Sequence, residues 1–210
     1  MSAIRLIVGL GNPGPRYQPT RHNVGANFVT YLAHRYGIQL AEDSKFKGFV
    51  GRGGMLAHDV RLLIPTTFMN LSGESVGALV HFYKFDVGEV LVAYDEMAFE
   101  PGVLRLKTGG GDNGHNGVKS VISSLGNVRG FHRLRIGVGH PGDRSEVTPF
   151  LTSYRMPEAE RKLVEDAWQI DDDVLSEVLS GNLDKAMNEL HSRDSDEKDA
   201  EGEEGEEGEI

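Results

Sequence analysis

The sequence predicts an α/β fold, a sandwich of strands and helices around a mostly parallel or mixed sheet, in one domain. Three observations predict it. Residues 4–10 and 90–94 are almost continuously apolar, as strands covered on both faces must be. Val24, Phe28, Tyr31 and Leu32, and again Val118, Val121, Ile122 and Leu125, recur at the three-to-four-residue spacing of helices with one apolar side. Strand-like and helix-like segments alternate along the chain, which is the pattern of a layered α/β architecture. With 210 residues and no internal repeat, the chain is long enough to bury one sizeable core.

The elements follow in order. The first strand, 4–10, ends at the Gly11-Asn12-Pro13-Gly14 turn. The helix carrying Val24 to Leu32 stops near Gly37. Residues 46–53 and 55–64 read as two strands around a Gly53-Gly54 turn, with Asp59 and Arg61 alternating with Val60 and Leu62, and Pro65 ends the second. Ser72 is the expected N-cap of a helix with Val76, Leu79, Val80 and Tyr83 on one side. The strand over 90–94 runs into Asp95. In 103–107 and 132–138 the pattern alternates, so Leu104, Leu106, Leu134, Ile136 and Val138 face the core while Arg105, Lys107, Arg133 and Arg135 face the other way. Residues 139–156 are rich in turn formers and read as a loop or short mobile lid. Helices resume near Pro157, and Leu183, Ala186, Met187 and Leu190 mark the last. Beyond Ser192 the repeated Glu-Glu-Gly has almost nothing to bury, so 1–192 is expected to be the folded domain and 193–210 a disordered acidic tail.

The charge is unevenly distributed. The chain carries a net −10, but residues 193–210 hold ten acids against Arg193 and Lys198, so the body is close to neutral and a local basic patch remains open. The absence of cysteine excludes disulfides and thiolate metal sites. The first apolar run is short, contains Arg5 and ends in a Gly/Pro turn, unlike a secretory leader, and nothing later has membrane-spanning length. A cytoplasmic protein with no membrane partner is expected.

Several polar clusters fall at strand ends or in the loops after them: Asn12, His22-Asn23, Met69-Asn70 and Asp95-Glu96, with His115 and Asn116 in the glycine-rich loop over 109–117. In open α/β sheets that edge is where ligands bind. A histidine titrates near neutrality and can take a proton from water; a buried aspartate can hold its other ring N–H. Carboxamides can grip a peptide backbone or donate to a tetrahedral oxyanion. With no Cys nucleophile and no Gly-x-Ser-x-Gly elbow, the set favours direct attack by water. Taken singly, each residue also fits a blander role: His22 a surface histidine, Asn12 a turn former, Asp95 a helix cap, Met69 packing, the glycines a flexible loop.

Other readings stay open at this point. Gly9, Gly11 and Gly14 have the spacing of a dinucleotide-binding turn, but Pro13, Pro15 and Pro19 keep a helix from starting there, and no acid ends a second strand about twenty residues on. Arg105, Lys107, Arg133, Arg135 and Lys119 would suit a non-catalytic RNA-binding module. The eight histidines show no His-Glu-x-x-His spacing, which disfavours a metallohydrolase.

Taken together, five stretches resemble the signatures of bacterial-type peptidyl-tRNA hydrolases, in order and in spacing. They are Ile7-Val8-Gly9-Leu10-Gly11-Asn12-Pro13-Gly14, Thr20-Arg21-His22-Asn23-Val24-Gly25, Pro65-Thr66-Thr67-Phe68-Met69-Asn70-Leu71-Ser72-Gly73, Gly114-His115-Asn116-Gly117, and residues 131–141 from Phe131 to Pro141. The resemblance spans roughly residues 3–192. It implies a monomeric single globular α/β domain with a mixed central sheet flanked by helices. It also implies hydrolysis of the ester between peptide and tRNA, with His22 as general base and Asp95 orienting it. Asn12, Asn70 and Asn116 would be substrate-binding carboxamides, with Tyr17 and Met69 lining the pocket and His115 in the neighbouring substrate-contacting loop. Lys107 and Arg135 would clamp the tRNA 5′-phosphate at the acceptor stem. No metal or organic cofactor is implied. Three departures from the family pattern stand out: Ala98 where another acid often follows Asp95-Glu96, Asp112-Asn113 where glycine is usual at the second position, and the acidic tail, which would repel RNA near the binding face.

Overall fold

The computed structural model describes residues 2–190, so the expected tail over 193–210 and the domain boundary at 192 lie outside the described residues. In chain order the elements are β1 (Leu6–Gly9), a 3₁₀ turn (Arg21–Asn23), α1 (Val24–Arg35), β2 (Ala41–Asp43), β3 (Gly48–Met55), β4 (His58–Pro65), a 3₁₀ turn (Met69–Leu71), α2 (Ser72–Tyr83) and, after a further 3₁₀ turn (Val87–Glu89), β5 (Val90–Glu96). There follow β6 (Leu104–Thr108), α3 (Asn116–Ser124), β7 (His132–Gly137), a 3₁₀ turn (Arg144–Glu146), α4 (Val147–Thr152), α5 (Glu158–Ala167), α6 (Asp172–Ser180) and α7 over 183–190.

The sheet has seven strands in the order β2-β3-β4-β1-β5-β7-β6. Its centre is parallel, β1 pairing with β4 and β5, and β5 with β7. Both edges are antiparallel, which makes the sheet mixed. One face packs on α1 and the α4–α7 region through residues such as Ile7, Phe28, Leu91, Leu134, Leu175 and Leu179. The other packs on α2 and α3 through Leu6, Val8, Leu79, Val92, Val118 and Val121. Covering both faces explains the unbroken apolar runs of β1 and β5, and each fully buried large side chain contributes about 1.5–3 kcal/mol. Trp168, at the end of α5, is buried against Phe28 and Tyr31 of α1, with ring centroids 6.3 and 6.1 Å away. Among the described residues no helix is long and apolar enough to cross a membrane.

Local expectations are corrected at several points. The β3–β4 hairpin turns at Leu56-Ala57, both with positive φ (46° and 67°), and Gly53 and Gly54 lie inside β3 opposite Val60 and Asp59. Gly53 is there because Ile38 packs on the strand: a Cβ would sit 2.7 Å from the Ile38 side chain. Ser72 is no cap. It is fully buried as the first residue of α2, and its hydroxyl donates to the Met69 carbonyl at 2.9 Å. Within 139–156, residues 144–152 form the 3₁₀ turn and α4 rather than loop. Arg133 does not reach solvent. At 1% exposure its guanidinium donates to the carbonyls of Gly110, at 2.7 Å, and Gly111, and it stacks on Phe131. It props the glycine-rich loop from beneath, while on the same two strands Lys107 is exposed and Arg105 and Arg135 are half-buried.

Candidate active site

Every parallel strand ends at the same edge of the sheet. β1 leads to Asn12, β4 to Met69-Asn70, β5 delivers Asp95-Glu96, and β7 leads into α4. A loop leaving such an edge can aim its polar groups inward without disturbing the ladder, so residues distant in sequence meet there.

His22 sits in the 3₁₀ turn that feeds α1. The turn reaches Asp95 because Gly25 lets the helix start press against the sheet: a Cβ at Gly25 would lie 2.2 Å from the Ala93 carbonyl oxygen. In the resulting contact His22 Nδ1 lies 2.9 and 3.0 Å from the two Asp95 oxygens. Burial pulls the His22 pKa down, but the charge and hydrogen bond of Asp95 outweigh it and the net shift is upward. Burial opposes ionisation of Asp95, yet the imidazoles of His22 and His115 hold its carboxyl well below the usual range.

His115 is the second partner of Asp95, with Nε2 2.9 Å from Oδ1. Its Nδ1 accepts the backbone N–H groups of Gly117 and Val118, so the ring is the side-chain N-cap of α3. An acceptor at Nδ1 assigns the proton to Nε2, making His115 a donor to Asp95. Neither ring nitrogen is then left for a substrate polar group. Asp95, already accepting from His115, takes the Nδ1–H of His22, and in the neutral ring this leaves Nε2 with a lone pair; His22 also lines a cavity. His22, Asp95 and His115 present donor atoms within 4.8 Å of one another, metal-ligand spacing found in no other such group among the described residues. The helix cap argues against an ion there, because a metal on His115 Nε2 would put a proton on Nδ1, facing two backbone N–H groups.

These three side chains line a cavity of about 490 Å³ together with Tyr94, Glu96 and Asn116. α4 also lines it, through Val147, Thr148, Leu151 and Thr152, with Arg144 from the preceding turn. Asn116 is exposed at the first position of α3. Asn12, Tyr17, Met69 and Asn70 are not on this cavity's wall. Asn12 Oδ1 accepts the Met69 N–H at 2.8 Å, so its Nδ2 is the group left to a ligand, and it ties the β1 loop to the turn that exposes Asn70. Met69, the first residue of that turn, is buried, whereas Tyr17 is half-buried and its hydroxyl accepts from Arg16. Asn23, which the sequence marks only as part of the His22-Asn23 cluster and gives no role, is a structural tie: its side chain bonds both the N–H and the carbonyl of Asn12, each at 2.9 Å, and fixes that loop against the His22 turn. Its place beside His22 is the only sequence signal for it.

Lys107 is exposed on β6, while Arg135 on β7 is bonded to Glu96 Oε2 at 2.8 and 3.0 Å and stacks on Phe99. Arg105 lies directly opposite Arg135 across the strands, and Glu96 offsets that like-charge pairing. The two loop departures have local explanations. Asn113 has φ of 49°, a conformation that asparagine tolerates better than most residues other than glycine, and Asp112 accepts the Gly114 N–H at 2.9 Å to close the turn. Ala98 is exposed and its N–H donates to Glu96, so the position uses only backbone.

The family model for peptidyl-tRNA hydrolase matches residues 6–198. The chain belongs to the peptidyl-tRNA hydrolase family. It is 50% identical over 193 residues to a peptidyl-tRNA hydrolase of Pseudomonas aeruginosa, covering 92% of this chain and 99% of the relative. To that of Pectobacterium carotovorum it is 53% identical over 194 residues, covering 91% and 98%. The crystal structure of the Acinetobacter baumannii peptidyl-tRNA hydrolase superposes with a TM-score of 0.85 at 46% identity, over 90% of this chain and 95% of that one. Family membership makes the chain a hydrolase. The dinucleotide reading of the first turn loses its structural basis as well: the space a Cβ of Gly9 would need is taken by the Gly25 carbonyl, and α1 begins only after the 3₁₀ turn.

Proposed function

We propose that the chain hydrolyses the ester joining peptide to tRNA in peptidyl-tRNA and other N-substituted aminoacyl-tRNAs, recycling tRNA from stalled or aborted translation, with His22 as the general base. The observation that carries this reading is the His22–Asp95 contact, which occupies Nδ1 and leaves Nε2 as the free nitrogen of a ring that lines the cavity. Nε2 takes a proton from water as the oxygen attacks the ester carbonyl. Asp95 steadies the imidazolium, and the amide groups of Asn70 and Asn116 donate to the oxyanion. Collapse breaks the bond to the tRNA ribose oxygen, which leaves with the proton from His22. Free tRNA and a peptide acid result, and no metal or organic cofactor enters.

Asn12 and Tyr17 would grip the peptide beside Met69, and His115 would serve the substrate by holding the Asn116 end of α3. Lys107 and Arg135 would clamp the 5′-phosphate of the acceptor stem, with Arg135 sharing its guanidinium between phosphate and Glu96. We assign the activity to residues 1–192, acting as a monomer in the cytoplasm, where translation makes the substrate.

The test is release of peptide from an N-acylated aminoacyl-tRNA. His22→Ala should lower kcat by about 10³-fold, within the range for loss of a general base, with an unfolding midpoint near that of the wild type. Turnover within tenfold of wild type would overturn the reading.

A further inference from the structure

The residue before the proposed base is an arginine with its charge inside the protein. Arg21 is 4% exposed, in the same 3₁₀ turn as His22. One Nη donates to Glu160 of α5 at 2.5 Å, and the guanidinium lies 3.9 Å from the ring centroid of Phe150 in α4. Its Nε is buried with no hydrogen-bond partner. A guanidinium desolvated this far, with one donor unmet, is costly and needs a reason.

The surroundings supply one. The same turn is tied to the segment between α4 and α5 by the Thr20–Arg155 bridge and by the Met156 N–H, which donates to the Pro19 carbonyl at 3.0 Å. α4 has only six residues, too few to be stable on its own, so its place depends on what its side chains touch. One side of it faces the cavity through Val147, Leu151 and Thr152. Phe150 instead touches Arg21. The arginine thus joins α4, which contributes to the cavity lining, to the turn that carries His22.

We propose that Arg21 is a positioning residue for hydrolysis: by stacking on Phe150 while paired to Glu160, it sets the distance between α4 and the His22 ring and so the fit of the ester between them. The proposal rests on His22 being the base. A planar cation is required, because the stack and the ion pair use the face and the edge of one group at once. Lysine keeps the charge and loses the face.

Arg21→Lys, Phe150→Leu, the double variant and Phe150→Tyr test it, each assayed on peptidyl-tRNA beside His22→Ala, with thermal unfolding measured in parallel. Arg21→Lys and Phe150→Leu should each lower kcat by about tenfold, the scale of a sub-ångström misplacement, and the double variant should fall no further than the worse single. The ascending pH limb should stay at the wild-type position, since charge beside His22 is kept. Phe150→Tyr keeps the ring and should hold kcat within about twofold of wild type. Independent, multiplying losses, or wild-type kcat in Arg21→Lys and Phe150→Leu while His22→Ala is inactive, would overturn the positioning role alone. A kcat loss explained by lost folded protein would also overturn it, and for that Phe150→Leu serves if Arg21→Lys does not fold. Activity surviving in His22→Ala would instead remove the reading beneath it.

Discussion

Asp95 and Lys107 stand two strands apart on one sheet, yet the first is buried and the second is exposed. Around Asp95 the carboxylate oxygens and the facing ring nitrogens of His22 and His115 are matched, and the last nitrogen of His115 is spent on the α3 cap. Arg135 has an ion pair with Glu96 and stacks on Phe99, and Lys107 is exposed beside it on the neighbouring strand. The difference separates two tasks. Proton transfer demands one tautomer and one ring pose, which only a buried network holds, whereas a phosphate backbone is met by mobile charge whose strength follows the salt.

The sharpest way to break the comparison is Asp95→Asn. It should lower kcat by about 10²-fold or more, because an amide holds either tautomer of His22. The sign of the pH effect follows from the two opposing causes. Asp95 is what lifts the His22 pKa above its ordinary 6.5, so without it burial acts alone and the ascending limb of kcat/KM should move to lower pH. A pH–rate profile with an unmoved limb would show that Asp95 does not set the base. Next in size, Lys107→Ala should raise KM for peptidyl-tRNA by about tenfold and reduce the slope of log KM against log salt by about one, leaving hydrolysis of a minimal ester unchanged. Equal losses on both substrates would erase the division between inner and outer halves. The smallest effect is expected from His115→Gln, which belongs to both catalysis and folding. It should lower kcat a few-fold and, through the lost helix cap, stability by about 1 kcal/mol, read by denaturant titration.

The sheet was legible because most of its strands obey a single rule, apolar where covered and alternating where half covered: β1, β5 and β6 follow it, and β7 departs from it because its alternating sequence is buried on both sides. Part of the site was legible for a related reason: a polar residue directly after an apolar strand, such as Asp95, stands at the functional edge. What stayed hidden depends on contacts between distant residues. Leu56-Ala57 offers no turn signal, and Gly53-Gly54 offers a false one because Ile38 lies against the strand. Alternation assigned Arg133 to a polar face correctly, but not the loop that folds over it. Nothing near His115 marks it as a helix cap bonded to Asp95, and six residues containing Pro149 are too short a pattern to reveal α4.

Trp168 has a practical consequence. It is the chain's single tryptophan, and it is wedged where the end of α5 meets Phe28 and Tyr31 of α1. Light absorbed selectively by its indole is therefore emitted from one joint, on the helix that continues from the His22 turn. The unlabelled protein carries its own optical gauge there, and a red-shifted emission would signal that α5 has come away from α1 and let water reach the ring.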